Sequence, residues 1–502
     1  MYLNESNQRV LTHKRPKAVK QTSPVRGPHH KLEDWLSKPW VQRLLRWMTI
    51  RDAENKCFFI RLCENYENPE LSGWQRLKWA LPSWLIDRAL ERAGLDKELM
   101  ITKLFHHPPT VRSLALTAKS IGRYGLTRPQ RFTAPLMVVW NITQVCNLAC
   151  EHCYQNAGPQ AAKDELTLEE KLRVVDQLAD NWVPFLAIAG GEPLACPDIW
   201  QVLEHAHRRG IHLTIATNGT LLTREKVERL RECGVKYIEV SVDSLDPAEH
   251  DRFRGKPGAW QRAINGIKAS IEAGMRTGFA TCFTRHNVDR ADEIIQFAYD
   301  LGCSTFSHFN FIPVGRGKQY AEYDLTPEQR ERLLRVLNKW LQSGKINVIS
   351  TAPQFARTCV MYAPPDGFFA TGHAGRGKGQ KTRVLAQYTG GCGAGRCYCC
   401  IQPNGFVTPC VYISSVVVGD LRKQSFEEIW NNELFRVLQD REDRGDHCGV
   451  CDYRIYCGGC RARALAYTGD ITAGDPGCMY NRVMWEQIEQ EEELFRIEGV
   501  PA

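Results

Sequence analysis

Three cysteines, Cys146, Cys150 and Cys153, fall in one short run, Cys-Asn-Leu-Ala-Cys-Glu-His-Cys. Three thiolates on so short a loop can hold three corners of a [4Fe–4S] cube. Such cubes ordinarily take four cysteines, so a three-cysteine site leaves one iron without a protein ligand. An open iron is a place where a small molecule can be chelated and given an electron. A zinc knuckle or three buried free thiols is the bland alternative, and the segments downstream count against it.

The chain has 502 residues and 20 cysteines, of which thirteen lie in three fields, at 146–153, 392–410 and 448–478. The other seven (Cys57, Cys63, Cys196, Cys233, Cys282, Cys303, Cys359) are scattered and read as packing residues. The start, Met1-Tyr2-Leu3-Asn4, has no apolar h-region, so no secretion signal is expected. So many cysteines in such a chain point away from disulfides and toward metal or redox chemistry. The second field runs Gly391-Cys392-Gly393-Ala394-Gly395-Arg396-Cys397-Tyr398-Cys399-Cys400, then Gly405 and Cys410. The third runs Cys448-x2-Cys451-x5-Cys457-x2-Cys460, then Cys478. Two zinc ribbons would also use CxxC pairs, but 392–410 lacks a ribbon's second CxxC.

Short motifs follow the first field at the ends of apolar, β-rich stretches. Gly190-Gly191-Glu192-Pro193 offers glycines that let backbone approach a ligand, and a carboxylate that can accept from an ammonium. Thr217-Asn218-Gly219, Ser241-Val242-Asp243-Ser244 and Ile312-Pro313-Val314-Gly315-Arg316-Gly317 come next. Ser241 and Asp243 could equally be helix caps. Arg316 could pair with a carboxylate or stand in solvent.

The C-x3-C-x2-C spacing, with Asn141-Ile142-Thr143 before it and Tyr154 after it, resembles the radical S-adenosylmethionine (radical SAM) family. That resemblance implies that SAM chelates the open iron through its amino and carboxylate groups. Reductive cleavage of its sulfonium then gives a 5′-deoxyadenosyl radical that takes hydrogen from a substrate. It further implies that Gly190, Gly191, Glu192 and Pro193 hold the SAM amino group. Asn218 would lie at the third strand end, Ser241 and Asp243 near the ribose and carboxylate, and Arg316 in the loop near the adenine. The second and third fields resemble the SPASM extension of these enzymes, which holds two auxiliary [4Fe–4S] clusters. Its pattern implies Cys448, Cys451, Cys457 and Cys478 for one cluster. Cys392, Cys410 and Cys460 would serve the other, with one of Cys397, Cys399 or Cys400, Cys397 being the choice. Cys460 follows its predecessor by one residue fewer than the common pattern.

Within the superfamily, residues 134–485 look most like the heme d1 and alternative heme biosynthesis group, which implies a tetrapyrrole substrate. Peptide-modifying SPASM maturases share the same text and are the alternative. A non-catalytic iron–sulfur scaffold is a third reading, against which an intact SAM pocket argues. The implied cofactors are three [4Fe–4S] clusters and SAM, and the implied partner is a reductant such as ferredoxin or flavodoxin.

These residues need a scaffold. Strands are expected at 136–141, 185–189, 213–217, 237–242, 278–283 and 305–311, alternating with helices at 166–180, 199–209, 224–233, 260–273 and 291–301. That alternation gives a parallel sheet with right-handed crossovers, an α/β chain whose six units match the partial (β/α)6 barrel of radical SAM cores. Chemistry on such a barrel sits at the C-terminal strand ends. The division is 1–31 basic tail, 32–133 helical extension, 134–325 barrel, 326–390 linker with a helix at 327–341 and a Gly/Lys-rich loop at 374–381, 391–485 SPASM domain and 486–502 tail. Within the extension, His106-His107-Pro108-Pro109 reads as a turn before a helix rather than a metal site.

Composition sets outer limits. The net charge is +8, with six basic side chains and no acid in residues 9–26, a segment expected to be disordered. No nucleic-acid motif accompanies it, so no nucleic-acid partner is expected. No apolar run approaches a membrane span. The tryptophan-rich stretches of 32–95 could touch a membrane surface, but the expectation is a packing face. Oxygen-labile cubes without an export signal imply cytoplasm.

Overall fold

The computed structural model describes residues 30–68, 70–93, 107–370 and 376–498. The basic tail of 1–31 and the end of the C-terminal tail therefore lie almost wholly outside the described residues. Among the described residues there are twelve strands: β1 Met137–Asn141, β2 Phe185–Ala189, β3 His212–Thr217, β4 Val235–Ser241, β5 Arg276–Phe283, β6 Thr305–Asn310, β7 Asn347–Ser350, β8 Phe368–Ala370, β9 Arg376–Lys378, β10 Tyr398–Ile401, β11 Phe406–Thr408 and β12 Gly419–Asp420. Ten of them form one sheet, ordered β12-β11-β10-β1-β2-β3-β4-β5-β6-β7. The first seven pair in sequence, all parallel, each pair linked by a helical crossover.

Alternation of side chains explains the two faces. Leu186, Ile188, Leu213, Ile215, Ile238 and Val240 point to the crossover helices and are buried in one apolar core with Val174, Leu203, Leu230 and Ile264. Capping sets where helices begin. Thr167 with Glu170 opens the helix Leu168–Asp180, and Thr326 with Gln329 opens Pro327–Ser343, both as reciprocal capping boxes. The other face of the sheet is mixed. Glu239 and Tyr237 on β4 reach across Gly278 of β5, and Glu239 accepts from Ser307 of β6 at 2.5 Å. A Cβ on Gly278 would meet the Tyr237 hydroxyl, so a glycine is what lets two polar side chains lie over that strand.

The six expected core strands, β1 to β6, are present and share one continuous sheet with strands of the C-terminal region. β10 adds parallel to β1, with Val138 opposite Cys399 and Val139 opposite Cys400, and β11 and β12 follow antiparallel. At the other edge, 326–390 is no bare linker. It supplies a helix, β7, the helix Gln354–Tyr362 and the β8–β9 hairpin. Of the expected loop at 374–381, Arg376–Lys378 is strand β9, and Gly379 begins the helix Gly379–Thr389. The chain after 485 continues the helix Arg482–Glu498 rather than fraying there.

A buried charge cluster joins the two ends of the sheet's sequence. Asp324 accepts from Arg330 at 2.6 Å, Arg463 at 3.0 Å and the Tyr467 hydroxyl at 3.2 Å. Arg330 also donates to the Gly477 carbonyl, and Arg463 to that of Phe311. Removing one member of such a group strands the others, at a cost of about 3–5 kcal/mol. Asp324→Asn is therefore expected to lower stability by that order, read by denaturant unfolding of the anaerobic protein. Wild-type stability in the variant would show that the two guanidiniums do not depend on this carboxylate.

Candidate active site

The cysteine loop leaves the C-terminal end of β1. It is closed at its base by a bridge between Val145 and Gly158, with Cys146 N–H donating to the Gly158 carbonyl at 2.6 Å. Glu165 braces the entry, accepting from Gln144 N–H at 2.6 Å and the Thr143 hydroxyl at 3.0 Å. Cys146 and Cys150 are buried, with Cys153 packed against them. Two backbone amides point at sulfur: Leu148 N–H at Cys146 and Ala157 N–H at Cys153, each at 3.4 Å. Burial pushes the Cys146 thiol up to about 12, so this pocket favours a thiolate only where a cation replaces the proton.

Neighbouring strand ends clamp the loop. After β2, Gly191 N–H donates to the Thr143 carbonyl at 2.8 Å and Glu192 N–H to that of Val145 at 2.7 Å. A Cβ on Gly191 would lie 2.1 Å from the Val145 oxygen. The glycine is thus required by the chain's own approach to the cysteine loop, whatever ligand it also admits. Gly190 backs onto Thr143, and Pro193 begins the 3-10 turn Pro193–Ala195. Glu192 is fully buried, and its carboxylate accepts from Leu194 N–H, the Thr217 hydroxyl and Asn218 N–H at 2.8–3.1 Å. Burial raises its pKa. A carboxylate has about four lone-pair sites, so the expectation that Glu192 serves an ammonium is narrowed to one remaining site. Asn218 donates to Asn147 at 2.9 Å and lies 3.9 Å from the Cys146 sulfur.

After β4 the structure differs from expectation. Ser241 ends the strand half-buried. Asp243 caps no helix; Asp246 is the N-cap of Pro247–Arg254, an element the periodicity reading passed over. Instead, Asp243 accepts from Arg254 at 2.6 Å and from Cys282 N–H at 2.9 Å. Burial alone would push the Asp243 carboxyl up; the Arg254 guanidinium, together with His152 and His250, offsets it and holds the carboxyl below its usual range. Arg254 then reaches the Cys150 sulfur at 3.9 Å, and its carbonyl receives Ala149 N–H at 3.2 Å. After β6, Gly315 at φ +60° meets the Tyr154 and Cys153 carbonyls where any Cβ would collide. Arg316 neither pairs with a carboxylate nor stands in solvent. It donates to the carbonyls of Cys150 at 2.7 Å and Ala157 at 3.1 Å, tying the cysteine loop from within.

The other two cysteine fields also converge. Cys448, Cys451, Cys457 and Cys478 line one cavity with Arg357 and Tyr480. Amides of Asp475, Tyr453 and Gly459 each point at a sulfur of that set at 3.4 Å. Cys392 is held to the same unit by its N–H bond to the Cys457 carbonyl at 2.8 Å, and Cys410 feels Cys392, Cys460 and Cys400 electrostatically. Within 397–400 the side chains part. Cys399 lies opposite Val138 on the helix side, where burial alone raises its thiol. Cys400 lies on the other face, taking an amide hydrogen from Asn141 at 3.4 Å. Cys397 is buried and its carbonyl accepts from Leu136 and Met137. Tyr154 and Tyr412, edge to face at 5.2 Å, stand between the first field and Cys410.

Charge tests what these thiols hold. Arg396, Arg441, Arg444, Arg461 and Arg463 are all buried around the second and third fields. Arg444 Nε, Arg461 Nη2 and Arg357 Nε have no hydrogen-bond partner among the described residues. Buried cations need a counter-charge, and cysteine-ligated cubes carry net negative charge, so the residues fit anionic iron–sulfur clusters.

Comparison with known proteins agrees with this geometry. Residues 140–298 match the model of the radical SAM superfamily, and 392–452 match that of the SPASM iron–sulfur cluster-binding domain. The AdoMet-dependent heme synthase of Methanosarcina barkeri is 36% identical over 349 residues, 69% of this chain and 97% of that protein. The mycofactocin maturase MftC of Mycolicibacterium smegmatis is 29% identical, over 69% of this chain and 83% of that one. Streptococcus suis SuiB, solved with its precursor peptide SuiA, has a TM-score of 0.59 at 17% identity, covering 86% of this chain and 94% of that one. The chain belongs to the radical SAM superfamily, in its SPASM-bearing branch.

Proposed function

We propose that the protein modifies the side chains of a carboxylate-bearing tetrapyrrole. It is a radical SAM enzyme, binding a [4Fe–4S] cluster with SAM and auxiliary clusters in its SPASM domain. The bound cluster and SAM supply a carbon radical able to take hydrogen from an unactivated position. In this reading the chain's own residues take the following roles. Cys146, Cys150 and Cys153 are the thiols for the open cluster. Gly190 to Pro193, Asn218 and Ser241 border the SAM position, while Asp243 and Arg316 act on the cysteine loop. Cys448, Cys451, Cys457 and Cys478 are one auxiliary set. Cys392, Cys410 and Cys460 are the other, completed by Cys397 or Cys400.

The observation that supports the substrate is the heme synthase likeness, which is higher in identity and in the share of the relative's own length than that to the maturase. Electrons come in this reading from ferredoxin or flavodoxin, in the cytoplasm. The test is anaerobic incubation with dithionite, SAM and iron tetrapyrroles bearing propionate side chains, followed by mass spectrometry. Formation of 5′-deoxyadenosine together with a tetrapyrrole lighter by carbon dioxide and two hydrogen atoms per propionate is expected: one hydrogen passes to the deoxyadenosyl radical, the carboxyl proton to solvent, and the remaining electron to an added one-electron acceptor as the side chain becomes vinyl. Deoxyadenosine with unchanged tetrapyrrole, and a modified Cys- or Gly-rich peptide, would move the protein to the maturases. No deoxyadenosine under any condition would leave the scaffold reading.

A further inference from the structure

The helical extension leaves four of its tryptophans mostly exposed. Trp40, Leu44 and Trp47 lie on one face of the helix Pro39–Met48, while Val41 on another face is buried and that helix packs on Pro108–Tyr124. Trp74, Leu77, Leu81 and Trp84 form a second stripe along the helix Gly73–Ala93, whose Trp79 is the buried one. All four outward tryptophans expose between 51% and 84% of their surface. An aromatic chain ties the two helices, Trp47 to Phe58 at 5.1 Å and Phe58 to Trp79 at 5.6 Å. The packing face expected from the sequence is thus present, but a second apolar face stands in solvent beside it.

The charges on the two tryptophan-bearing helical stretches have one sign, and the exposed acids Asp52, Glu54, Glu67 and Glu70 lie on the segment that connects them in sequence. Arg43, Arg46, Arg76 and Lys78 are exposed between the aromatics, and neither 39–48 nor 73–86 contains an acid. The sequence just before it, 9–32, carries seven Lys and Arg with no Asp or Glu. Tryptophan with arginine and lysine is the composition that settles at the boundary of headgroups and acyl chains. A neighbouring run of four to eight basic residues adds attraction for an anionic leaflet. Stable attachment takes two such signals, and both are here. No helix among the described residues is long and apolar enough to cross a membrane, so the contact is with a surface.

We propose that the tryptophan-bearing face of residues 35–84 docks on an anionic lipid bilayer. The extension is joined to the barrel by the Trp182 indole donating to the Asn55 carbonyl at 2.9 Å, and to the helix Gly379–Thr389 by the Tyr388 hydroxyl donating to Glu33 at 2.6 Å. Docking through it would hold the active site at the membrane surface, where an apolar or amphiphilic substrate partitions.

The test is flotation of the cluster-loaded full chain with vesicles of phosphatidylcholine alone and of phosphatidylcholine mixed with phosphatidylglycerol. Binding to the mixed vesicles is expected, falling with added salt. Each of Arg43→Gln, Arg46→Gln and Arg76→Gln should weaken it roughly five-fold. Trp74→Ser with Trp84→Ser should weaken it at least about ten-fold, while iron content and deoxyadenosine formation stay at wild type. Those last two readouts separate loss of docking from loss of folding. Sedimentation velocity provides the opposing outcome. Failure to bind either vesicle, or a dimer that these same substitutions dissociate, would overturn the proposal and assign the face to a protein partner.

Discussion

Gly191→Ala is expected to empty the open cluster site while the auxiliary sites stay filled. The added methyl would stand 2.1 Å from the Val145 oxygen and 2.9 Å from that of Gln144, both backbone atoms that no rotamer can move aside. The paired bonds from Gly191 and Glu192 to Thr143 and Val145 hold the two segments at that distance. Relief therefore requires the base of the cysteine loop to shift. A displacement of about 1 Å at a reacting centre can cost 100-fold in rate. Iron per chain should fall by about four atoms, one cube, and deoxyadenosine formation by about 100-fold or more. The second and third cysteine fields lie on other segments and should keep their iron. A variant with full iron and an undiminished rate would mean that the close approach is not what demands glycine.

That prediction uses a residue whose motif was legible and whose reason was not. The sequence shows Gly190 to Pro193 plainly, because short motifs at strand ends survive as text. It does not show that the glycines face the chain's own cysteine loop, since a close approach between segments far apart in sequence leaves no local pattern. The barrel was legible for the opposite reason. Apolar alternation is local, and the strands Phe185–Ala189 and Thr305–Asn310 stand within a residue of where periodicity puts them. The addition of β10 beside β1 was not legible. Tyr398–Ile401 is only four residues long, and its two cysteines read from sequence as alternative ligands rather than as strand residues. Arg316 failed similarly: a guanidinium is a cation in sequence, but here it serves as a fork of donors to carbonyls. The helix Pro247–Arg254 could have been found, since Asp246 followed by Pro247 is a cap and first-turn pair. Missing that helix also hid the residue that matters most on it.

Arg254 is that residue, and Arg254→Met is expected to disable the site more completely than Asp243→Asn. The methionine would fill similar space but leave the Asp243 carboxylate buried and unpaired, with only the Cys282 amide opposite it. Stranding a buried charge in this way costs about 3–5 kcal/mol. It would also remove the one cation within reach of the Cys150 sulfur among the described residues. Asp243→Asn removes the anion instead. Arg254 then keeps its place beside a thiolate cluster, which can serve as its counter-charge. The two variants therefore separate two roles for one ion pair. If the pair only holds the fold, both should lose stability alike and both should keep the cluster's redox behaviour. If Arg254 also stabilises added electron density at the cluster, Arg254→Met alone should shift its reduction potential downward and stop SAM cleavage. Anaerobic redox titration followed by resonance spectroscopy reads the first effect, and deoxyadenosine yield reads the second. Equal potentials in the two variants would reduce Arg254 to a structural brace.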